Sequence, residues 1–174
     1  MQELGKSRQG YKQTDLVEIP EEWKVQQIST ISEVIMGQSP AGESYNSNGV
    51  GVPLLNGPTE FGNEHPIPIQ FTTSPTKICQ KNDILLCVRG STTGRLNIAD
   101  QEYCLGRGLA SVRGLKGKTN TKWLSHQFLR LQKTIYNLAS GGGSTFPNIN
   151  SDLIKRLSVP YTSLEEQQKI VLVF

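Results

Sequence analysis

Arg89-Gly90-Ser91-Thr92-Thr93-Gly94-Arg95 puts two guanidinium groups and three hydroxyls within seven residues, with a glycine inside each arginine. A guanidinium fork pairs bidentately with guanine O6 and N7 or with a phosphate, while hydroxyls and exposed backbone N–H groups take phosphate oxygens. An ordinary hairpin turn with incidental arginines has the same composition. Gln38-Ser39-Pro40, with Tyr45 and Asn46 beyond it, is a second polar loop whose side chains suit base edges, or else a plain surface loop. Lys116 and Lys118 supply charge suited to a phosphate backbone.

The charge distribution points the same way. From Pro75 to Thr134, eleven Lys and Arg face only Asp83, Asp100 and Glu102, a local excess of +8, while the rest of the 174-residue chain carries −5. Such a block is a footprint for a polyanion, because each cation set against a phosphate releases condensed counterions; a solvated basic surface gives the same count. Aromatic residues make up 7% of the chain, and no basic, glycine and aromatic RNA-binding signature occurs, which disfavours a base-stacking RNA or single-strand module.

Enzyme motifs are incomplete. Gly114-Leu115-Lys116-Gly117-Lys118-Thr119 ends like a phosphate-binding loop, but Val112 stands where its first glycine belongs. Gly106-Arg107-Gly108 begins a dinucleotide fingerprint that Ser111 breaks. Gly37-Gln38-Ser39-Pro40-Ala41 fails as a nucleophile elbow at Ala41. Asp83, Asp100 and Asp152 are isolated from one another, and Cys79, Cys87, Cys104, His65 and His126 lack zinc-ligand spacing, so the cysteines read as buried reduced thiols. No catalytic residue and no metal site is expected.

These loops need a scaffold. With 36% hydrophobic and 19% charged residues, the chain suits one packed domain. Met1 to Asp15 is polar and reads as a flexible arm. Ile19-Pro20-Glu21-Glu22-Trp23 is a turn that sets Trp23 against the domain. Ile28, Ile31 and Ile35 predict a short helix over Gln27 to Ile35. Strand-like runs follow at Val52–Leu55, Ile67–Thr72, Asp83–Val88, Arg95–Ala99 and Gly108–Val112, with Ile84 to Val88 a central strand buried on both faces. Leu124, Phe128, Leu131, Ile135 and Leu138 form one helical stripe over Lys122 to Ala139, ended by Gly141-Gly142-Gly143. Asn150 or Ser151 caps a short helix through Arg156, Leu157 to Pro160 is a strand, and Ser163-Leu164-Glu165-Glu166 is a capping box that opens a last helix. Its apolar end, Ile170 to Phe174, predicts that it continues or packs on a partner. No apolar run is long enough to span a membrane and no secretory signal is visible, so a cytoplasmic location is expected.

Taken in order, several segments resemble the landmarks of a target recognition domain from the specificity (S) subunit of type I restriction-modification systems. They are Ile19-Pro20-Glu21-Glu22-Trp23, Gly37-Gln38-Ser39-Pro40, the run Asp83 to Gly94, the run Ser140 to Asn150, Leu157-Ser158-Val159-Pro160 and Leu164-Glu165-Glu166-Gln167-Gln168-Lys169-Ile170. The resemblance covers Ile19 to Ile170. It implies a non-catalytic, sequence-specific DNA-binding protein that reads one half of a bipartite duplex target and docks a methyltransferase (M) subunit, with a restriction (R) subunit joining the complex. S-adenosylmethionine, ATP and Mg would belong to those partners and no cofactor to this chain. A full S subunit carries two such domains on long spacer helices, so one domain implies a fragment or a half-subunit that self-associates through its C-terminal helix.

The expectation is then a mixed α+β fold, a twisted, partly closed sheet flanked by helices. Residues 1–17 are a flexible arm, 18–160 the recognition domain and 161–174 the start of a spacer helix. Candidate DNA contacts are Gln38, Ser39, Tyr45, Arg89, Ser91, Thr92, Arg95, Lys116 and Lys118. The alternatives are the recognition domain of a fused restriction-methylation enzyme, a nucleotide-handling enzyme, and an interaction module for an acidic protein.

Overall fold

The computed structural model describes residues 8–141 and 146–173. The chain opens with strands β1 (Tyr11–Gln13), β2 (Glu18–Pro20) and β3 (Lys24–Gln27), one helical turn α1 (Ile28–Ile31), and strand β4 (Ser32–Met36). Short strands β5 (Tyr45–Asn46), β6 (Val52–Leu55), β7 (Gln70–Thr72) and β8 (Ile78–Cys79) precede β9 (Ile84–Cys87) and β10 (Leu96–Ile98). Then come β11 (Tyr103–Leu105), β12 (Leu109–Gly114), the long helix α2 (Thr121–Ser140), α3 (Ser151–Arg156), β13 (Ser158–Tyr161) and α4 (Leu164–Val171).

A four-stranded antiparallel sheet, β10-β9-β12-β4, is the central layer. Alternation sends Ile84, Leu86 and Val88 of the β9 segment, with Ala110 and Val112 of β12, into a core closed by Ile28, Ile31, Trp123, Leu124, Phe128 and Ile135. Leu85, Cys87 and Leu109 enter a second core with Leu55, Cys79, Tyr103 and Leu105 of a five-stranded sheet, β5-β7-β6-β11-β8. Strand β9 is therefore buried on both faces, as its unbroken apolar run predicts.

The fold is mixed α and β, but the sheet expected to be partly closed is two open sheets that share no strand among the described residues. The chain leaves the five-stranded sheet at Leu105, turns through Gly106–Gly108 and enters the four-stranded sheet at Leu109, so no ladder runs continuously between the two.

Other differences have local causes. The helix expected over Gln27 to Ile35 lasts one turn, because Val34, Ile35 and Met36 pair with Val112, Ser111 and Ala110 as strand β4, where β-branched side chains fit the pleat. Ladder pairing of the Ile67–Thr72 run starts only at Gln70, beyond Pro66 and Pro68. Tyr11–Gln13, inside the polar arm, pairs with Glu18–Pro20, while Met1 to Ser7 lie outside the described residues. In α2 the buried stripe passes through Leu124, Phe128 and Ile135 to Ala139, which leaves Leu138 exposed. Gly142 and Gly143 also lie outside the described residues, and Gly141 is extended, with φ −65°. Pro160 stays within β13, opposite Val25 on a two-stranded sheet.

Of the two caps offered for the short helix, Asn150 is the one used, Ser163 caps the last helix as expected, and Asn120, which the sequence reading did not single out, caps α2. Asn120 Oδ1 accepts from Trp123 N at 3.0 Å, Asn150 Oδ1 from Leu153 N at 2.9 Å, and Ser163 Oγ from Glu166 N at 3.3 Å. The Glu166 carboxylate accepts instead from the Thr162 hydroxyl and, at 3.2 Å, from the Trp23 indole N–H, which ties the first turn of α4 to the turn before β3. The fully buried Gln167 completes the anchorage: its amide donates to the Thr162 carbonyl at 2.8 Å and accepts from Asn120 N at 2.9 Å.

Candidate nucleic-acid interface

Antiparallel order decides which loops meet. Leu109 pairs with Cys87 and Ala110 with Met36, so the end of β9, the start of β12 and the end of β4 lie at the same end of the central sheet. Three loops leave there: Gly37–Pro40, Val88–Arg95 and Gly106–Gly108. Backbone bonds lash them together. Gly37 N donates to Leu109 O at 2.8 Å, Gln38 N to Leu105 O at 2.8 Å and Val88 N to Gly108 O at 3.0 Å, while Arg107 N donates to Ser39 Oγ at 3.3 Å. A Cβ on Gly37 would press on the carbonyl oxygens of Leu109 and Leu105, at 2.8 and 2.9 Å, and on that of Gly106 closer still, so only glycine fits this crossing.

The arginine loop is a closed hairpin. Gly94 N donates to Cys87 O and Cys87 N to Arg95 O, both at 2.9 Å, and the Thr93 hydroxyl donates to Gly90 O at 2.7 Å. Gly90 and Gly94 have φ of +79° and +94°, and a Cβ on Gly94 would sit 2.9 Å from the Gln132 carbonyl of α2. Thr93 is buried and structural; Arg89 and Ser91 are exposed and Thr92 is half-buried. Arg95 is exposed, its guanidinium carbon 5.9 Å from the centre of the Phe61 ring. Phe146 leans over Gly90, and Gly90 N donates to Pro147 O at 2.9 Å. Beneath the loop, burial pushes the Cys87 thiol up to about 12, against the pull of Arg95 and the Thr92 hydroxyl.

Of the residues singled out in the sequence, Gln38, Ser39, Arg89, Ser91, Thr92 and Arg95 share this end. Tyr45 lies on β5, an edge strand separated from β11 by β7 and β6, beside Thr72. Lys116 and Lys118 follow the far end of β12, opposite the arginine loop, and Lys118 Nζ donates to the Thr30 carbonyl at 2.6 Å.

One member of the basic stretch is structural. Arg113 makes a bidentate pair with Asp83, Nε to Oδ1 at 2.6 Å and Nη2 to Oδ2 at 2.8 Å, and reaches Glu33 at 3.5 Å. The Asp83 hydrogen bond holds the guanidinium pKa above its ordinary value. Two other members join the loop end, and neither was among the residues singled out. Arg107 is exposed at the apex of the Gly106–Gly108 turn, and Lys77 is exposed beside it, its carbonyl accepting from Leu105 N at 2.8 Å. The signal for Arg107 was a glycine on each side of an arginine between two strands, which reads as a tight turn once the dinucleotide fingerprint fails.

Among the described residues no group of three or more His, Cys, Asp or Glu could hold a metal ion, and no helix is long and apolar enough to cross a membrane.

Three loops bonded to one another thus carry cationic and amide tips at one end of the central sheet. Residues 20–174 match the family model of the type I restriction modification DNA specificity domain, and the chain belongs to that family. It is 38% identical over 162 residues to the putative type I restriction enzyme MjaX specificity subunit of Methanocaldococcus jannaschii, covering 92% of this chain and 37% of that protein. The type I restriction enzyme MjaIX specificity subunit of the same organism is 30% identical, over 94% of this chain and 39% of its own length. Among solved structures, the HsdS subunit from Thermoanaerobacter tengcongensis superposes with a TM-score of 0.79 at 28% identity, covering 95% of this chain and 39% of that one. A chain solved in work on complex assembly and conformational transition of the type I R-M system gives a TM-score of 0.79 at 30% identity, over 89% of this chain and 38% of that one. The chain thus spans under two fifths of the length of these relatives.

Proposed function

We propose that this domain reads one half of a bipartite duplex DNA target and docks a methyltransferase subunit, without chemistry of its own. The observation that carries the proposal is the convergence of Gln38, Ser39, Arg89, Ser91, Thr92 and Arg95 on one rigid end of the sheet, in a chain of the DNA specificity family. Guanidinium and amide tips suit base edges in a major groove, and hydroxyls and backbone N–H groups suit phosphates. Lys116 and Lys118 enter as phosphate contacts of a duplex extending along β12, whose six residues span about 17 Å. Tyr45 enters as a contact at the outer sheet edge. S-adenosylmethionine, ATP and Mg belong to the M and R subunits in this scheme, and α4 is the element available for partner docking or self-association. The setting is the cytoplasm, where those partners and the DNA are found.

The test is to map methylated adenines in a host that carries this gene with its methyltransferase, and to repeat the map with the domain exchanged for that of a relative. One half of the modified motif is expected to follow the domain. A motif that ignores the exchange overturns the proposal.

A further inference from the structure

Arg89 and Arg107 come from different strands and are drawn together by one backbone bond. Val88 N donates to Gly108 O at 3.0 Å, and each arginine lies one residue beyond that bond, on the side away from the core. Both side chains are exposed, and among the described residues no carboxylate lies within 4 Å of either. Arg113, on the same strand as Arg107's turn, shows the contrast: it is matched by two carboxylates. Neighbouring like charges without a counter-ion repel, and an external acceptor relieves that repulsion.

The backbone under Arg107 is held by the turn around it. Leu109 N closes the turn on Gly106 O at 3.1 Å, and Arg107 N is tied to Ser39 Oγ. Glycines flank it because there is no room for anything larger: a Cβ on Gly106 would sit 2.6 Å from Asn56 Oδ1, and one on Gly108 2.5 Å from Asn56 O. The side chain therefore leaves from a root with little freedom, the condition under which a bidentate fork retains angular discrimination. Arg89 is rooted beside Gly90, which has a positive φ, and bridges to Asn148.

We propose that Arg107 is a specificity-determining residue of this domain, donating two parallel N–H bonds to the O6 and N7 of one guanine of the target, with Arg89 beside it on the adjoining acceptor. This rests on the DNA reading above and deepens it by naming a base and the residue that selects it. The chemistry of the fork also suits a phosphate, and the substitutions separate the two.

In the full protein assembled with its methyltransferase, R107A is expected to reduce modification of the cognate motif by about 5- to 150-fold and to relax one G·C position of it. R107K keeps the charge but loses the fork, and is expected to relax the same position while the duplex affinity for non-cognate sequence stays within about twofold. Uniform weakening by R107A with the motif intact, or full rescue by R107K, would put Arg107 on a phosphate and overturn the proposal. A motif unchanged in both variants also overturns it. A wild-type complex with no sequence-dependent modification overturns the DNA reading itself, and this inference with it.

Discussion

Asp83 and Arg113 face each other across β9 and β12, just beyond the pair Ile84 and Val112, and join by two hydrogen bonds of 2.6 and 2.8 Å. Asp83 is fully buried and accepts a third bond from Gln80 N at 2.9 Å. Removing the arginine strands a buried carboxylate, so Arg113→Met is expected to cost about 3–5 kcal/mol, read from urea unfolding. The DNA motif should be retained wherever the variant folds. A loss under 1 kcal/mol, or a changed motif, would show that Arg113 does more than brace the sheet.

Gly37 sits where three carbonyl oxygens leave no space for a side chain. Gly37→Ala is expected to destabilise by about 1–3 kcal/mol through overpacking. It should also weaken binding to the cognate duplex, because the Gln38 and Arg107 loops are pushed apart. Wild-type stability and affinity in that variant would refute the crossing as described.

The buried thiols give a dependence on alkaline pH. Burial raises Cys79 and Cys87 from 9.0 to about 12, and with help from the Asp100 carboxylate it raises the Tyr103 phenol from 10.0 to about 12. The folded state thus keeps protons that the unfolded chain releases. Stability from these groups is complete below pH 9 and falls as the pH rises from 9 towards 12. Thermal unfolding should show that decline, and iodoacetamide at pH 7.5 should label neither cysteine until denaturant is added.

Gln167 joins α4 to the cap of α2 and to the Thr162 carbonyl with no exposure to water. Gln167→Leu leaves one donor and one acceptor buried and unmatched, at a cost of about 1–3 kcal/mol. Amide exchange in α4 should accelerate selectively. If exchange there matches wild type, the helix is held by Ile170 and Val171 packing instead.

What the sequence disclosed depended on range. Periodicity found α2, and an apolar run found β9, because each signal is complete within its own segment. Local chemistry likewise found the cap at Ser163 and narrowed the other to Asn150 or Ser151, of which the structure uses Asn150. Strand β4 escaped because Ile28, Ile31 and Ile35 fit a helical spacing, and only the ladder to Ala110–Val112 overrides it. The split into two sheets escaped because β5, β8 and β11 are two or three residues long, below the length at which alternation is readable. At the candidate interface the loop of Arg89 to Arg95 was legible from composition. That Gln38 joins it while Lys116 and Lys118 do not follows from strand direction, and that Arg113 is internal follows from its pairing with Asp83. Neither property is written in the residues concerned.

The lashings between the three loops run from main-chain N–H groups to main-chain oxygens, apart from the single bond to Ser39. Among the described residues no side-chain hydrogen bond or ion pair from Gln38, Arg89 or Arg107 holds the scaffold. On the proposed reading, single exchanges at these sites would change the target preference without unfolding the scaffold, so each would be tolerated before it is useful.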